Sequence, residues 1–194
     1  LLCENLGTEV WVKHENQTPI GSFKIRGGLV YFAHLVKSSE KPKSVVSATK
    51  GNHGQSVGFA ARRYGIPATI VVPHGNSIEK NNAMRSLGVN LLEHGDDFQS
   101  AREFAIKMAH ENSLKMIPSF DPLLVTGVAT YSLELLKAVK DLDIVYVPIG
   151  LGSGICGMLA VRDALKLKTK VVGVVSAHAS SYAKSFTSRS PVES

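Results

Sequence analysis

The strongest constraint on the fold is an alternation. Short apolar, β-branched runs at 44–48, 68–72, 89–93, 115–117, 144–147 and 170–175 are separated by stretches with helical spacing at 53–64, 78–87, 98–111, 122–140 and 155–166. Runs such as Val45-Val46-Ser47-Ala48 and Ile144-Val145-Tyr146-Val147 show little polar-outward alternation. Strands of that kind are covered on both faces, and strand–helix–strand repetition delivers parallel pairing. The expected class is therefore α/β, with parallel sheets and helices on both faces. A strand at 9–14, a helix at 23–37 with Ser22 as N-cap, and a last helix starting near Ser180 complete the pattern. Ser77 before 78–87 and Gly88 after it are suitable start and stop residues.

Composition excludes several classes. With 44% hydrophobic and 20% charged residues, the 194-residue chain is globular and not disordered. Lys plus Arg is 22 against 16 Asp plus Glu, a net +6, but the basic residues are scattered singly and aromatics are 7%. The basic footprint of a nucleic-acid binder is missing, so no such partner is expected. Two isolated cysteines, Cys3 and Cys156, suit neither a disulfide framework nor a cysteine zinc site, which points to a reducing, cytoplasmic setting. No basic stretch followed by an apolar run opens the chain, so no signal peptide is expected. It begins at Leu1 rather than Met, in what reads as mid-element, so an N-terminal segment is expected to be missing. Residues 144–161 carry no charge over nearly a membrane-spanning length. Pro148, Gly150, Gly152, Ser153, Gly154 and Gly157 would interrupt a spanning helix, so a strand, a glycine turn and a helix fit better.

In open parallel sheets, ligands bind beyond the carboxyl ends of the strands. Three segments fall there, at 21–28, 49–55 and 150–157. The last follows an apolar strand and reads Gly150-Leu151-Gly152-Ser153-Gly154-Ile155-Cys156-Gly157. Glycine-directed N–H groups together with the positive end of the next helix make a phosphate cup. Gly152, Gly154 and Gly157 also satisfy a formal G-x-G-x-x-G, and a turn made for tight packing is the plain alternative. A dinucleotide site would need an acid at the end of the following strand, where the chain reads Val174-Val175-Ser176-Ala177. The second segment, Thr49-Lys50-Gly51-Asn52-His53-Gly54-Gln55, ends a strand and opens a helix able to hold a carboxylate. Taken singly, Asn52 reads as an N-cap and His53 as a surface residue of the first turn. In the first segment Lys24 stands at a helix start, where the dipole disfavours an ammonium ion and suits a neutral amine nucleophile. A surface lysine beside Arg26 is the bland alternative.

Together, Gly21-Ser22-Phe23-Lys24-Ile25-Arg26-Gly27-Gly28, Ser47-Ala48-Thr49-Lys50-Gly51-Asn52-His53-Gly54-Gln55 and Pro148-Ile149-Gly150-Leu151-Gly152-Ser153-Gly154 resemble the fold-type II pyridoxal-phosphate enzymes. Within them the chain is most similar to the threonine/serine dehydratases, with serine racemase as a near relation. The resemblance implies the tryptophan synthase β-like fold with two interleaved subdomains. These would be a cofactor domain from 1–42 plus 122–194, incomplete at both ends, and a small inserted α/β domain at 43–121. It implies pyridoxal 5'-phosphate as cofactor and β-elimination of a hydroxy amino acid, such as threonine or serine, to a 2-keto acid and ammonia. An amino-acid racemase is the alternative on the same scaffold, and an NAD(P)-binding oxidoreductase the alternative from another class. Lys24 resembles the Schiff-base lysine, Phe23 the residue beside the cofactor ring, and Asn52 the partner of its 3-hydroxyl. Gly150, Leu151, Gly152, Ser153 and Gly154 resemble the phosphate loop; Thr49, Gly51, Asn52 and His53 resemble the substrate-carboxylate loop. A homodimer is implied by analogy.

Three departures from the family pattern stand out. Lys50 replaces a small residue, and is either a second acid/base group, a grip on an acidic substrate side chain, or a solvated lysine. The phosphate loop reads Gly-Leu-Gly-Ser-Gly, in which Leu151 can still offer its N–H at negative φ and Ser153 adds a hydroxyl. At the family's divalent-cation site the chain has Val175, Ala179 and Ser181, so no metal and no activation by Mg²⁺ are expected.

Overall fold

The computed structural model describes residues 1–38 and 41–192. Among these described residues eight α-helices, α1 (Leu2–Leu6), α2 (Lys24–Leu35), α3 (Asn52–Tyr64), α4 (Ile78–Ser86), α5 (Phe98–Glu111), α6 (Pro122–Ala138), α7 (Ser153–Ala164) and α8 (Ser181–Ser188), accompany six strands. The strands are β1 (Val45–Ala48), β2 (Ala68–Val72), β3 (Asn90–Glu93), β4 (Lys115–Met116), β5 (Ile144–Pro148) and β6 (Lys170–Val174). All pairings are parallel, in a four-stranded sheet of order β3-β2-β1-β4 and a two-stranded sheet β5-β6.

The first sheet behaves as its composition requires. Every residue of β1 is buried. Val46, Ala48 and Val71 meet Ala101 and Ala105 of α5 on one face, while Val45, Ile70 and Val72 meet Phe32, Val57, Ala60 and Met84 on the other. Local chemistry sets the helix ends. Ser77, Asp97 and Asp121 accept N–H bonds at the starts of α4, α5 and α6, and Gly65 closes α3 at φ 64°.

The second sheet differs from expectation. Among the described residues only its inner face is covered: Val145 and Val147 pack with Val128, Tyr131 and Met158, while Tyr146 is 67% exposed. Residues 9–14 form no strand, since among the described residues no neighbouring strand offers them a hydrogen-bonding edge, and Trp11 and Val12 are exposed there. Helix α1 and a 3-10 turn at Glu15–Gln17 had no clear signal in sequence.

Helix α2 is clamped between two others. A Cβ at Gly127 of α6 would overlap the Arg26 carbonyl oxygen and lie 2.7 Å from Gly27 Cα; a Cβ at Gly27 would lie 2.7 Å from the Leu124 carbonyl oxygen. On the other side a Cβ at Gly28 would overlap the Ser56 hydroxyl of α3. Glycine is required at all three crossings because backbone meets neighbour directly. This fixes the start of α2, and with it Lys24, against α3 and α6.

Candidate active site

The N-termini of α2, α3 and α7 converge. Lys24 is the first residue of α2. Phe23 rather than Ser22 occupies the N-cap position, but the Ser22 hydroxyl still accepts the Lys24 N–H at 3.3 Å. Thr18 braces that turn, accepting from the Ser22 N–H at 2.8 Å and donating to the Ser22 carbonyl at 2.9 Å. On the far side, the Ser56 hydroxyl donates to the Lys24 carbonyl at 2.6 Å. The lysine backbone is therefore held from two elements.

Its side chain is turned inward. Nζ donates to Ser153 Oγ at 3.0 Å and lies 5.5 Å from the centre of the Phe23 ring. Burial pushes the amine below the usual lysine range, because removal from water penalises the ammonium form. Phe23 in turn packs against Tyr131 at 5.7 Å, and the Tyr131 hydroxyl donates to the Gly154 carbonyl at 3.3 Å. One aromatic wall thus joins the lysine to the glycine turn.

That turn leaves β5 and enters α7 through Gly152, whose φ of +97° demands glycine. Leu151 is outside the left-handed region, which meets the condition for its N–H to serve the loop. No side chain caps the start of α7, so its first N–H groups retain their capacity for an anion. Ser153 and Gly154 are buried.

The segment before α3 completes the site. Gly51 is the N-cap, so Asn52 is not the cap but the first helical residue, and it is exposed. The Gly51 N–H donates to Thr49 Oγ1 at 3.1 Å, and no side chain caps α3 either. His53 corrects the expectation of a surface residue: it is 8% exposed and its Nε2 has no hydrogen-bond partner. Its pKa falls to about 4, first through burial and second through the nearby Lys24 charge, with the carbonyls of Ile117 and Pro118 opposing. The imidazole is neutral at pH 7. Helical periodicity turns it inward beside Ser56, three residues on.

Lys50 is exposed and, among the described residues, makes no side-chain hydrogen bond or ion pair. Its charge helps to lower the pKa of the exposed Asp97, after the larger effect of the Ser100 N–H. Arg26 is no bland neighbour of Lys24. Its Nε meets Glu15 at 2.7 Å and its Nη1 meets Glu134 at 2.6 Å, while Lys13 Nζ reaches each of those carboxylates at 2.9 Å. Arg26 first, then Lys13, holds the Glu134 carboxyl down at about 2. Both acids near this end of α2 are thereby occupied, and Lys24 is left with a neutral hydroxyl. Sequence reading missed this network, Ser56 and Tyr131, although Ser56 shares a helical face with His53.

The donor set fits pyridoxal 5'-phosphate. It has a desolvated amine, an aromatic wall beside it, an uncapped glycine turn for an anion and a buried imidazole nitrogen without a partner.

The family model described as "Pyridoxal-phosphate dependent enzyme" matches residues 2–194. The biosynthetic L-threonine dehydratase of Haemophilus influenzae is 35% identical over 176 residues, which are 90% of this chain and 34% of that protein. The processed form of threonine deaminase isoform 2 from Solanum lycopersicum superposes with a TM-score of 0.92 at 32% identity, covering 99% of this chain and 56% of that one. A pyridoxal 5'-phosphate-dependent aspartate racemase superposes with a TM-score of 0.86 at 28% identity, over 93% of this chain and 55% of that one. The chain spans about a third of the length of the first of these relatives. The superpositions bear out the expected fold. Among the described residues no helix is long and apolar enough to cross a membrane.

Proposed function

Because this chain belongs to the pyridoxal-phosphate dependent enzymes, we propose that it serves a lyase that dehydrates and deaminates a β-hydroxy amino acid, threonine or serine, to a 2-keto acid and ammonia. The observation that carries the reading is the Lys24 amine, half-buried, tilted toward its neutral form and held 3.0 Å from Ser153 at the glycine turn. The 35% identity to a threonine dehydratase supports this chemistry over hydride transfer.

The backbone N–H groups of residues 150–154 would take the cofactor phosphate, Phe23 its ring face, Asn52 its 3-hydroxyl and Lys24 its aldehyde carbon. Bound there, the cofactor supplies a conjugated ring that accepts the electron pair released when Cα–H breaks. The chain's own part is placement and proton handling. The uncapped start of α3, with Thr49, Gly51, Asn52 and His53, holds the substrate carboxylate by its N–H groups. Lys24, as a neutral amine, takes the Cα proton. Phe23 and Tyr131 keep water from that side of the amine. Lys50, exposed at the mouth of the same loop, grips an acidic substituent of the substrate, which brings 3-hydroxyaspartate within range. A racemase using Lys24 and Lys50 on opposite faces is the second reading, favoured by the likeness to the aspartate racemase. Homodimeric assembly, a cytoplasmic location and a division into 1–42 plus 122–194 and 43–121 complete the proposal.

The test is direct. Addition of pyridoxal 5'-phosphate is expected to produce an absorbance band in the near-visible range, borohydride to fix the label on the Lys24 peptide, and L-threonine or L-serine to yield keto acid rather than the D-isomer. Label on other lysines only would overturn the reading; D-isomer without keto acid would replace it with the racemase.

A further inference from the structure

We propose that Ser153 is the positioning residue of Lys24, a hydroxyl that holds the amine at the glycine turn in both of its protonation states; this rests on the proposed role of Lys24. The evidence is a pairing across the fold. Ser153 is the first residue of α7 and Lys24 the first of α2, 129 positions apart in the chain, yet Nζ and Oγ are 3.0 Å apart. Ser153 is 3% exposed, so water cannot readily take its place. Among the described residues no carboxylate pairs with Lys24, while Arg26, two residues on, is paired with two.

The chemistry of the partner matters. A carboxylate only accepts, and so would hold Lys24 as an ammonium ion. A hydroxyl accepts from the ammonium form, and it can turn and donate to the lone pair of the neutral amine. Both states are then satisfied inside the protein, and the amine is held without being fixed in the unreactive form. The bond to the charged form is still the stronger, because charge-assisted hydrogen bonds exceed neutral ones. Removing the hydroxyl therefore lowers the amine's pKa further. A glycine or alanine at 153 would supply the same backbone N–H to the loop but no partner for Nζ. The side chain thus has a role separable from the loop's backbone.

The experiment reads the amine itself. Apoprotein is reductively methylated across pH 6–10, and modification of the Lys24 peptide is followed by mass spectrometry, with thermal unfolding as a check on folding. In Ser153→Ala and Ser153→Gly the midpoint of Lys24 reactivity is expected to fall by about one pH unit, a tenfold change in the charged-to-neutral ratio. Ser153→Thr, which keeps the hydroxyl, is expected to restore it. In parallel, affinity for pyridoxal, which lacks the phosphate, is expected to change in the hydroxyl-free variants and recover in Ser153→Thr, because the effect runs through the amine. An unchanged midpoint in a folded Ser153→Ala or Ser153→Gly protein overturns the proposal, as does a shift that Ser153→Thr does not reverse. Two hydroxyl-free variants guard against one failing to fold. If wild-type protein forms no near-visible band with pyridoxal 5'-phosphate, the reading of Lys24 as cofactor lysine fails, whereas the methylation midpoints still decide the pairing.

Discussion

Gly127→Ala tests whether the crossing of α2 and α6 places the reactive lysine. Helix propensity alone favours the change, since alanine in a helix interior is better than glycine by about 1 kcal/mol. Packing opposes it. The added Cβ would overlap the Arg26 carbonyl oxygen and sit 2.7 Å from Gly27 Cα, where ordinary contact is 3.4–4 Å. Both obstacles are backbone, so no rotamer change relieves them and α2 must retreat by about 1 Å. Overpacking of this kind typically costs about 1–3 kcal/mol. With no side chain able to yield, the upper end applies, and the net loss is about 2 kcal/mol. For a chain of this size that is a fall in Tm of about 4–8 °C by calorimetry. The retreat carries Lys24, three residues before Gly27, away from Ser153. A misplacement of about 1 Å at a reacting group lowers turnover on the order of 100-fold. Gly150→Ala is the control: no atom lies within 4 Å of its added Cβ and its φ is not left-handed, so Tm should move by less than about 2 °C. A Gly127→Ala protein that melts higher than wild type, with normal Lys24 reactivity, would refute the reasoning.

His53 gives a pH signature: its folded pKa of about 4 lies below the ordinary 6.5, so the unfolded chain binds the proton first. Stability should decline as pH falls from about 6.5 to about 4, by about 3 kcal/mol in all, and urea midpoints of His53→Gln should lack that slope. Glu134 has the same sense in a more acidic window: its carboxyl is held down at about 2 by Arg26 and Lys13, so its contribution is full above about pH 4.5 and lost as pH falls through about 2. The side chain is half exposed, so Glu134→Gln should remove about 0.5–1 kcal/mol at pH 7 and nothing near pH 2, read from urea midpoints. For Lys50→Ala, KM for 3-hydroxyaspartate should rise while that for threonine holds; equal KM values for both substrates in wild type and variant would remove Lys50 from recognition. Chelation followed by Mg²⁺ should leave the turnover rate unchanged, and a clear rise would mean that a cation site exists beyond Val175, Ala179 and Ser181.

Much of the fold was legible because its signals are local. Apolar runs marked β1, β2, β5 and β6, and cap residues such as Ser77 and Gly65 set helix ends within a residue or two of expectation. Residues 9–14 misled because β-branched content alone cannot supply a pairing partner. His53 misled because a histidine after a cap is solvated in an isolated helix, and becomes buried only when another helix covers that face. The Arg26 cluster was invisible for a related reason: Glu15 and Glu134 are far apart in sequence and meet only through Arg26 and Lys13.

The residue types at 21–28, 49–55 and 150–154 determined which chemistry the chain could support, because an amine at a helix start and glycine-rich turns after strands carry their electrostatics in their immediate neighbours. Which partner each group meets was decided by tertiary structure alone. Close backbone contact of α2 with α6 and α3 at Gly27, Gly28 and Gly127, and of α7 with α6 at Gly157 and Ala129, brings three helix starts to one place, and only that convergence desolvates Lys24, sets it against Ser153 and seals the His53 imidazole from water.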